Sequence, residues 1–198
     1  MLIPLLRWLA FAFSFSVVLV YFRGGTDLVR GMRESAQRAG GRGIAVLTVG
    51  MTGVGAAILV TQLLICLGVL SLPTWADRPW VAIPGALLVI GSVSVAYWIR
   101  YGFLGQFWSG HIEIQDGQQV ITHGPYAVVR HPLYANTLLI YAGIGLAFPI
   151  WWNWLACALM VAGYVVWTAA EDRFLEQNLP GYREYQQQTR YRLLPGIW

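Results

Sequence analysis

The sequence predicts an all-α integral membrane protein with five transmembrane helices, a cytoplasmic segment between the third and fourth, and a C-terminal amphipathic helix. Three observations carry that prediction. Charged residues make up 11% of the chain and hydrophobic ones 57%, where soluble domains carry roughly 25% charge. Several long runs hold no charge at all, the stretch 132–170 among them. The basic residues, all thirteen of them arginine, gather between those runs.

A hydrocarbon core of about 30 Å takes roughly 20 helical residues. By that ruler the uncharged runs give spans at 2–22, 44–72, 80–100, 132–148 and 150–170, within a single membrane domain covering 1–198. The first span carries only Arg7. It lacks the small-residue cleavage site of a signal sequence and runs directly into Phe22-Arg23-Gly24, so it is read as retained. Gly50, Gly53 and Gly55 sit inside the second span with no strand before them, and close helix packing explains them better than a phosphate loop. Gly40-Gly41-Arg42-Gly43 just ahead is read as a flexible connection. Phe148-Pro149 divides the last run into a tight hairpin of spans four and five.

Arginine bias orients the spans. Arg23, Arg30, Arg33, Arg38 and Arg42, then Arg100 and Arg130, then Arg173, Arg183, Arg190 and Arg192 fall on one side, and only Arg7 and Arg78 on the other. The first side is therefore cytoplasmic. Trp75, Trp80, Trp151 and Trp152 occupy the two outer connections, where indole rings favour the interface.

Between spans three and four, Ile112 to Ile121 alternates apolar and polar residues around Asp116-Gly117, the signature of a β-hairpin folded over the membrane face. After Ala170, Glu171-Asp172 is followed by Phe174, Leu175 and Leu179 on one helical face, and Pro180-Gly181 stops the run. This predicts an amphipathic helix emerging from span five.

Several function classes are excluded or disfavoured. No lysine is present, so a lysine Schiff base is impossible, and no basic run is interleaved with aromatics as nucleic-acid binding would require. Cys66 and Cys157 lie far apart in apolar runs and give neither a disulfide framework nor metal spacing. His111, His123 and His131 lack an accompanying carboxylate pattern, so no metal is expected.

The polar groups concentrate in His123-Gly124-Pro125-Tyr126-Ala127-Val128-Val129-Arg130-His131-Pro132-Leu133-Tyr134 at the mouth of span four. Such groups are costly at the edge of hydrocarbon and suggest a site. Pro132 suits a first helical turn. A helix start beside Arg130 suits a carboxylate or phosphate, and the tyrosines and histidines nearby suit a sulfonium or ammonium. The adjacent carboxylates Glu171 and Asp172 could meet a cationic or hydroxyl-bearing group.

Taken in order, these features resemble the isoprenylcysteine carboxyl methyltransferase family and its wider relatives, the membrane phospholipid methyltransferases. The resemblance covers about the last half of the chain. It runs from Leu104-Gly105-Gln106-Phe107-Trp108-Ser109 through Gly124-Pro125-Tyr126 and Arg130-His131-Pro132-Leu133-Tyr134 to Glu171-Asp172, Tyr182, Tyr185 and Arg192-Leu193-Leu194-Pro195. It implies an S-adenosyl-L-methionine cofactor bound on the cytoplasmic face by His111, the strand Gln118-Gln119-Val120-Ile121, Tyr126, His131, Pro132, Leu133, Tyr134 and Glu171. Arg130, His131 and Glu171 are the expected catalytic residues.

One position departs from the family. Where prenylcysteine enzymes carry an arginine one turn before the glutamate, facing the substrate carboxylate, this chain has Trp167. Trp167 and Arg173 are taken as substrate contacts, and Arg100, Arg130 or Arg173 as the substitute for the missing arginine. The implied reaction is carboxyl O-methylation of a prenylcysteine-type lipophilic substrate, whose lipid part enters from the bilayer. The alternatives are phospholipid amine N-methylation, where His131 or Glu171 would serve as base, small-thiol S-methylation, and, from another class, a small transporter or a noncatalytic scaffold. A transporter would place ionisable residues at mid-membrane, which only Arg7 approaches.

Overall fold

The structure, a computed structural model, describes residues 2–22, 27–109 and 112–198, with side chains described outside 21–40. The elements run α1 (Leu2–Phe22), α2 (Asp27–Cys66), a 3-10 turn (Thr74–Asp77) and α3 (Pro79–Ile99). The last is prolonged by a π-turn at Arg100–Leu104 and a 3-10 turn at Gly105–Phe107. After a 3-10 turn at Gly124–Ala127 come α4 (Pro132–Ala147), α5 (Trp151–Asn178) and α6 (Tyr182–Gln188).

Four helical stretches are long and apolar enough to cross a membrane: Leu2–Val20, Gly41–Cys66, Pro79–Phe107 and Trp151–Asn178. The fifth expected span is shorter. With 16 residues, α4 is about 24 Å long at 1.5 Å per residue, against a core of about 30 Å. Pro132 opens it and it ends before Pro149. It lies against α3, and glycines let the two backbones meet: a Cβ on Gly85 would stand 2.5 Å from the Ala147 nitrogen, and one on Gly143 2.9 Å from the Val89 nitrogen. Val89 and Val93 of α3 and Ile140 and Ile144 of α4 form the centre of the main core, closed by Ile58, Phe148, Cys157 and Met160.

Two features of α2 differ from expectation. The arginine-rich stretch ahead of the second span is helical from Asp27, and the chain breaks at Gly41, whose φ of 69° and ψ of −156° only glycine adopts readily. Gly41 is a kink between two helical arms. At the far end the helix stops at Cys66 rather than near residue 72, and residues 67–73 form a turn and an irregular link, with the Gly68 N–H donating to the Ile65 carbonyl at 3.0 Å.

The isolated arginine of α1 is explained by its partners. Arg7 is buried, and its guanidinium donates to Asp77 Oδ1 at 2.6 Å, to the Ala76 carbonyl at 2.8 Å and to the Ala147 carbonyl at 2.9 Å. It thus ties α1 to the 3-10 turn and to the end of α4, satisfying carbonyls that hydrocarbon could not.

The predicted β-hairpin is a correction. Asp116-Gly117 does turn, with Gly117 at a φ of 73° and the Gln118 N–H donating to the Gln115 carbonyl at 3.0 Å. No strand forms among the described residues, so Gln118 to Ile121 is an extended segment rather than a strand. The reason lies in the side chains. Ile112 is drawn against Trp167 and Ala170, while Ile114, Val120 and Ile121 pack with Tyr126, Leu179 and Tyr182, so the first arm is divided between two clusters. The Gln118 side chain also accepts the Gln115 N–H at 2.9 Å, taking a donor that a ladder would need.

The predicted amphipathic helix is present as the continuation of α5. The helix passes through Glu171-Asp172 without a break and ends at Asn178. Gly181, at a φ of 82°, then turns the chain into α6.

Candidate active site

Glu171 and Asp172 are consecutive on α5, so their side chains leave the helix about 100° apart and enter different surroundings. Asp172 is 1% exposed. Its Oδ1 accepts from Arg130 Nε at 2.9 Å and from the Tyr182 hydroxyl at 2.8 Å, and lies 3.1 Å from His131 Nε2. Its Oδ2 accepts from Arg130 Nη2 at 3.0 Å, Arg192 Nε at 2.8 Å and Gln186 Nε2 at 3.3 Å. Both lone-pair systems of this carboxylate are engaged, with a bidentate arginine as the strongest partner.

Arg130 is saturated in turn. Besides Asp172, its Nη1 donates at 2.7 Å to the carbonyls of both Thr189 and Arg190. Burial works against its charge, but the Asp172 hydrogen bonds and carboxylate hold its pKa above the ordinary arginine value. The expectation that Arg130 offers an anion site beside the start of α4 is therefore corrected: all three guanidinium nitrogens already donate. Its backbone N–H and that of His131 are taken as well, by the carbonyls of Tyr191 and Arg192 at 2.9 Å each. Arg130 is a positioning residue that sews the C-terminal segment to α4 and α5.

The tyrosines of α6 complete this frame as neutral donors. Burial, then the Asp172 charge, push the Tyr182 phenol well above its ordinary pKa. Burial also raises Tyr185 to about 12, and its hydroxyl donates to the Tyr126 carbonyl at 2.7 Å. Tyr126 is buried beside them, its phenol raised by burial and by the charge of Glu171.

Glu171 faces the other way, into a cavity of about 450 Å³. Its Oε2 is buried with no hydrogen-bond partner among the described residues, and the same holds for Nη1 of Arg100 and for both amide atoms of Gln62. All three side chains border this one cavity. The Arg100 guanidinium lies 3.6 Å from the centre of the Trp108 ring and 5.0 Å from that of Tyr101. Also lining the cavity, the His131 and Tyr134 rings stack at 5.8 Å and 10°, and Tyr164 tilts against Tyr134 at 5.5 Å.

Most of the residues expected from sequence meet here. Gln118, Gln119, Val120, Ile121, Tyr126, His131, Leu133, Tyr134, Trp167 and Glu171 all border the cavity. Pro132 is buried and shapes the first turn of α4 without lining it. Arg173 is a correction: it is exposed, lies outside the cavity wall, and its Nε donates to the Ala169 carbonyl at 3.1 Å. His111 lies outside the described residues. Trp167, one turn before Glu171 on the same face, is buried with its Nε1 donating to the Tyr134 hydroxyl at 3.3 Å. Of the three arginines considered as substitutes at this site, only Arg100 brings an unpaired nitrogen to the cavity.

Sequence reasoning missed Gln62 altogether. Its signal was a single amide side chain in the apolar part of α2.

The phospholipid methyltransferase family profile matches residues 80–180, just over half of the chain, from the first turn of α3 to just beyond the end of α5. The chain belongs to this family. Membership carries the reading of a multi-pass membrane methyltransferase, in agreement with the four long apolar helices. Among curated proteins the chain is similar to the nickel-cobalt-cadmium resistance protein NccN of Alcaligenes xylosoxydans xylosoxydans, 28% identical over 117 residues. That match covers 57% of this chain and 51% of the relative. It is also similar to the cobalt-zinc-cadmium resistance protein CzcN of Cupriavidus metallidurans, 33% identical over 119 residues, or 57% of this chain and 50% of the relative. The chain thus spans about half the length of the curated relatives it matches. Among the described residues no three His, Cys, Asp or Glu side chains group as a metal site would require. Helices α1 and α2, with Gln62, lie outside the family match.

Proposed function

We propose that this phospholipid methyltransferase family member uses S-adenosylmethionine to methylate the carboxylate of a prenylcysteine-type lipophilic acceptor. The observation that carries the reading is a pair of buried atoms without a hydrogen-bond partner among the described residues, Glu171 Oε2 and Arg100 Nη1, on one cavity that continues between apolar helices. A buried charged group without a partner is costly, so ligand groups that complete both are the economical explanation. The volume lies within the roughly 300–1,000 Å³ of sites that enclose small molecules.

The residues present fit the cofactor. Glu171 would accept from its ammonium group, and the faces of His131, Tyr134 and Tyr126 would surround its cationic sulfur. The start of α4 at Leu133 offers a backbone N–H with no intrahelical acceptor, suited to the methionine carboxylate. Gln119, Val120 and Ile121 form the adjoining wall, and His111 belongs to the same set by the family resemblance. When bound, the cofactor supplies an electrophilic methyl group.

Arg100 then takes the role that Trp167 cannot. Held flat on Trp108, its guanidinium presents Nη1 to the acceptor carboxylate and fixes one oxygen for attack. An α-carboxyl group with a pKa of about 3.5 is ionised near neutral pH, so the oxygen needs no general base. Bound there, the cofactor would give its methyl group to that oxygen and would keep the electron pair of the broken carbon–sulfur bond. Orientation of this kind can supply roughly 7 to 11 kcal/mol, and the apolar wall excludes water. The arginine bias of the sequence supports a cytoplasmic entrance for the cofactor.

Labelled-methyl transfer offered in parallel to prenylcysteine, phospholipid amine and small-thiol acceptors tests the reading. Transfer to the prenylcysteine is expected, with Arg100→Gln raising its KM at least tenfold. Transfer only to the lipid amine would transfer the role of Arg100 to a phosphate and overturn the carboxylate acceptor.

A further inference from the structure

We propose that Gln62 is a second polar subsite, which recognises an oxygen-bearing group far along the lipid portion of the acceptor. The inference rests on the acceptor reading above, and extends it to the opposite end of the same cavity.

Gln62 lies in α2 one turn before the helix ends at Cys66. It is 0% exposed, and neither its Oε1 nor its Nε2 has a partner among the described residues. Its neighbours on the helix, Ile58 and Ile65, belong to the main hydrophobic core. An amide that folded only to fill space there would be expected to bond a helix carbonyl or a neighbouring hydroxyl, as Ser14, Thr48 and Thr52 do on the same cavity wall. Gln62 instead borders the cavity with both hydrogen-bonding functions unused. A buried polar group left unpaired calls for a partner that is not part of the chain.

Its distance from the reacting end defines what that partner can be. Ile44 of α2 packs with Trp167 and Ala170, beside Glu171. Gln62 is eighteen residues further along the same helix, about 27 Å at 1.5 Å per residue. The wall between them includes Val17, Met51, Ile58, Ile140 and Ile144. A ligand reaching both ends therefore has an anionic head, a long apolar middle and a hydrogen-bonding group at or near its tip. An amide both donates and accepts, so a hydroxyl is the simplest tip that uses both functions of Gln62.

The test uses simple mimics of that outline, with the full chain in lipid nanodiscs. Straight-chain fatty acids of increasing length and their ω-hydroxylated counterparts supply the head, the middle and the tip. Their binding is measured by calorimetry to wild type and to Gln62→Leu, which conserves volume and removes the orphan amide. At the length that spans the cavity, wild type should prefer the hydroxylated acid roughly five- to tenfold, the worth of one neutral hydrogen bond. Gln62→Leu should abolish or invert the preference. Should no length show a preference that Gln62→Leu removes, the subsite is overturned. S-adenosylhomocysteine is titrated into both proteins in parallel: equal affinity in the two is expected, since the amide lies far from the donor. Failure of that titration in wild type would count against the methyl-donor reading while leaving the hydroxyl preference to decide Gln62.

Discussion

Glu171 and Asp172 are neighbours in sequence and opposites in structure. Asp172 accepts from two arginines, a tyrosine and a glutamine and touches His131, and none of its surroundings is open. Glu171, one position earlier, keeps a buried oxygen with no partner among the described residues. The same contrast separates two arginines: Arg130 spends every nitrogen on the protein, whereas Arg100 stacks on Trp108 and holds Nη1 in reserve. A charged residue saturated from within builds the frame. One left incomplete at a cavity is open to a ligand.

The sharpest way to break this contrast is to damage the frame. Asp172→Asn would leave Arg130 buried without its carboxylate, and removing one partner of a buried ion pair costs about 3–5 kcal/mol. A large fall in the thermal unfolding midpoint is expected, together with early proteolysis of the segment after Asn178. Tyr182→Phe removes a single donor to the same carboxylate and should cost about 1.5–3 kcal/mol, the worth of a hydrogen bond to a charged group. Glu171→Gln keeps a side-chain oxygen for the Tyr134 hydrogen bond and is expected to cost less stability than either frame variant, while reducing donor binding roughly tenfold, the equivalent of about 1.4 kcal/mol. The smallest effect belongs to Arg173→Ala. Exposed, and bonded among the described residues to its own helix, Arg173 should change neither stability nor binding, and a loss of methyl transfer in this variant would return it to the substrate site.

The sequence made the membrane class legible because composition and uninterrupted apolar length report directly on the solvent a helix must face. The cavity wall was also legible, through the order of motifs from Gln118 to Tyr134 and on to Glu171. The roles within it were less so. Arg130 and His131 stand in a motif that suggests a free cation at a helix start, but their partners, Asp172, Thr189 and Arg190, come from segments 41 to 60 residues away. Only folding decides which charges are already paired. The hairpin pattern at 112–121 failed for a similar reason, because its alternate apolar residues were claimed by two clusters and left no ladder to form. Gln62 carried no motif at all, and its meaning appears only once burial and an empty hydrogen-bonding complement are seen together.

The division of labour between the two carboxylates is tested most directly by titrating S-adenosylhomocysteine into purified wild type and Glu171→Gln, each with its unfolding midpoint measured in the same lipid. Micromolar or tighter binding to wild type, weakened about tenfold in Glu171→Gln at an unchanged midpoint, is the predicted result. No binding to wild type, or equal binding to both proteins, would contradict the assignment of Glu171 to the methyl donor.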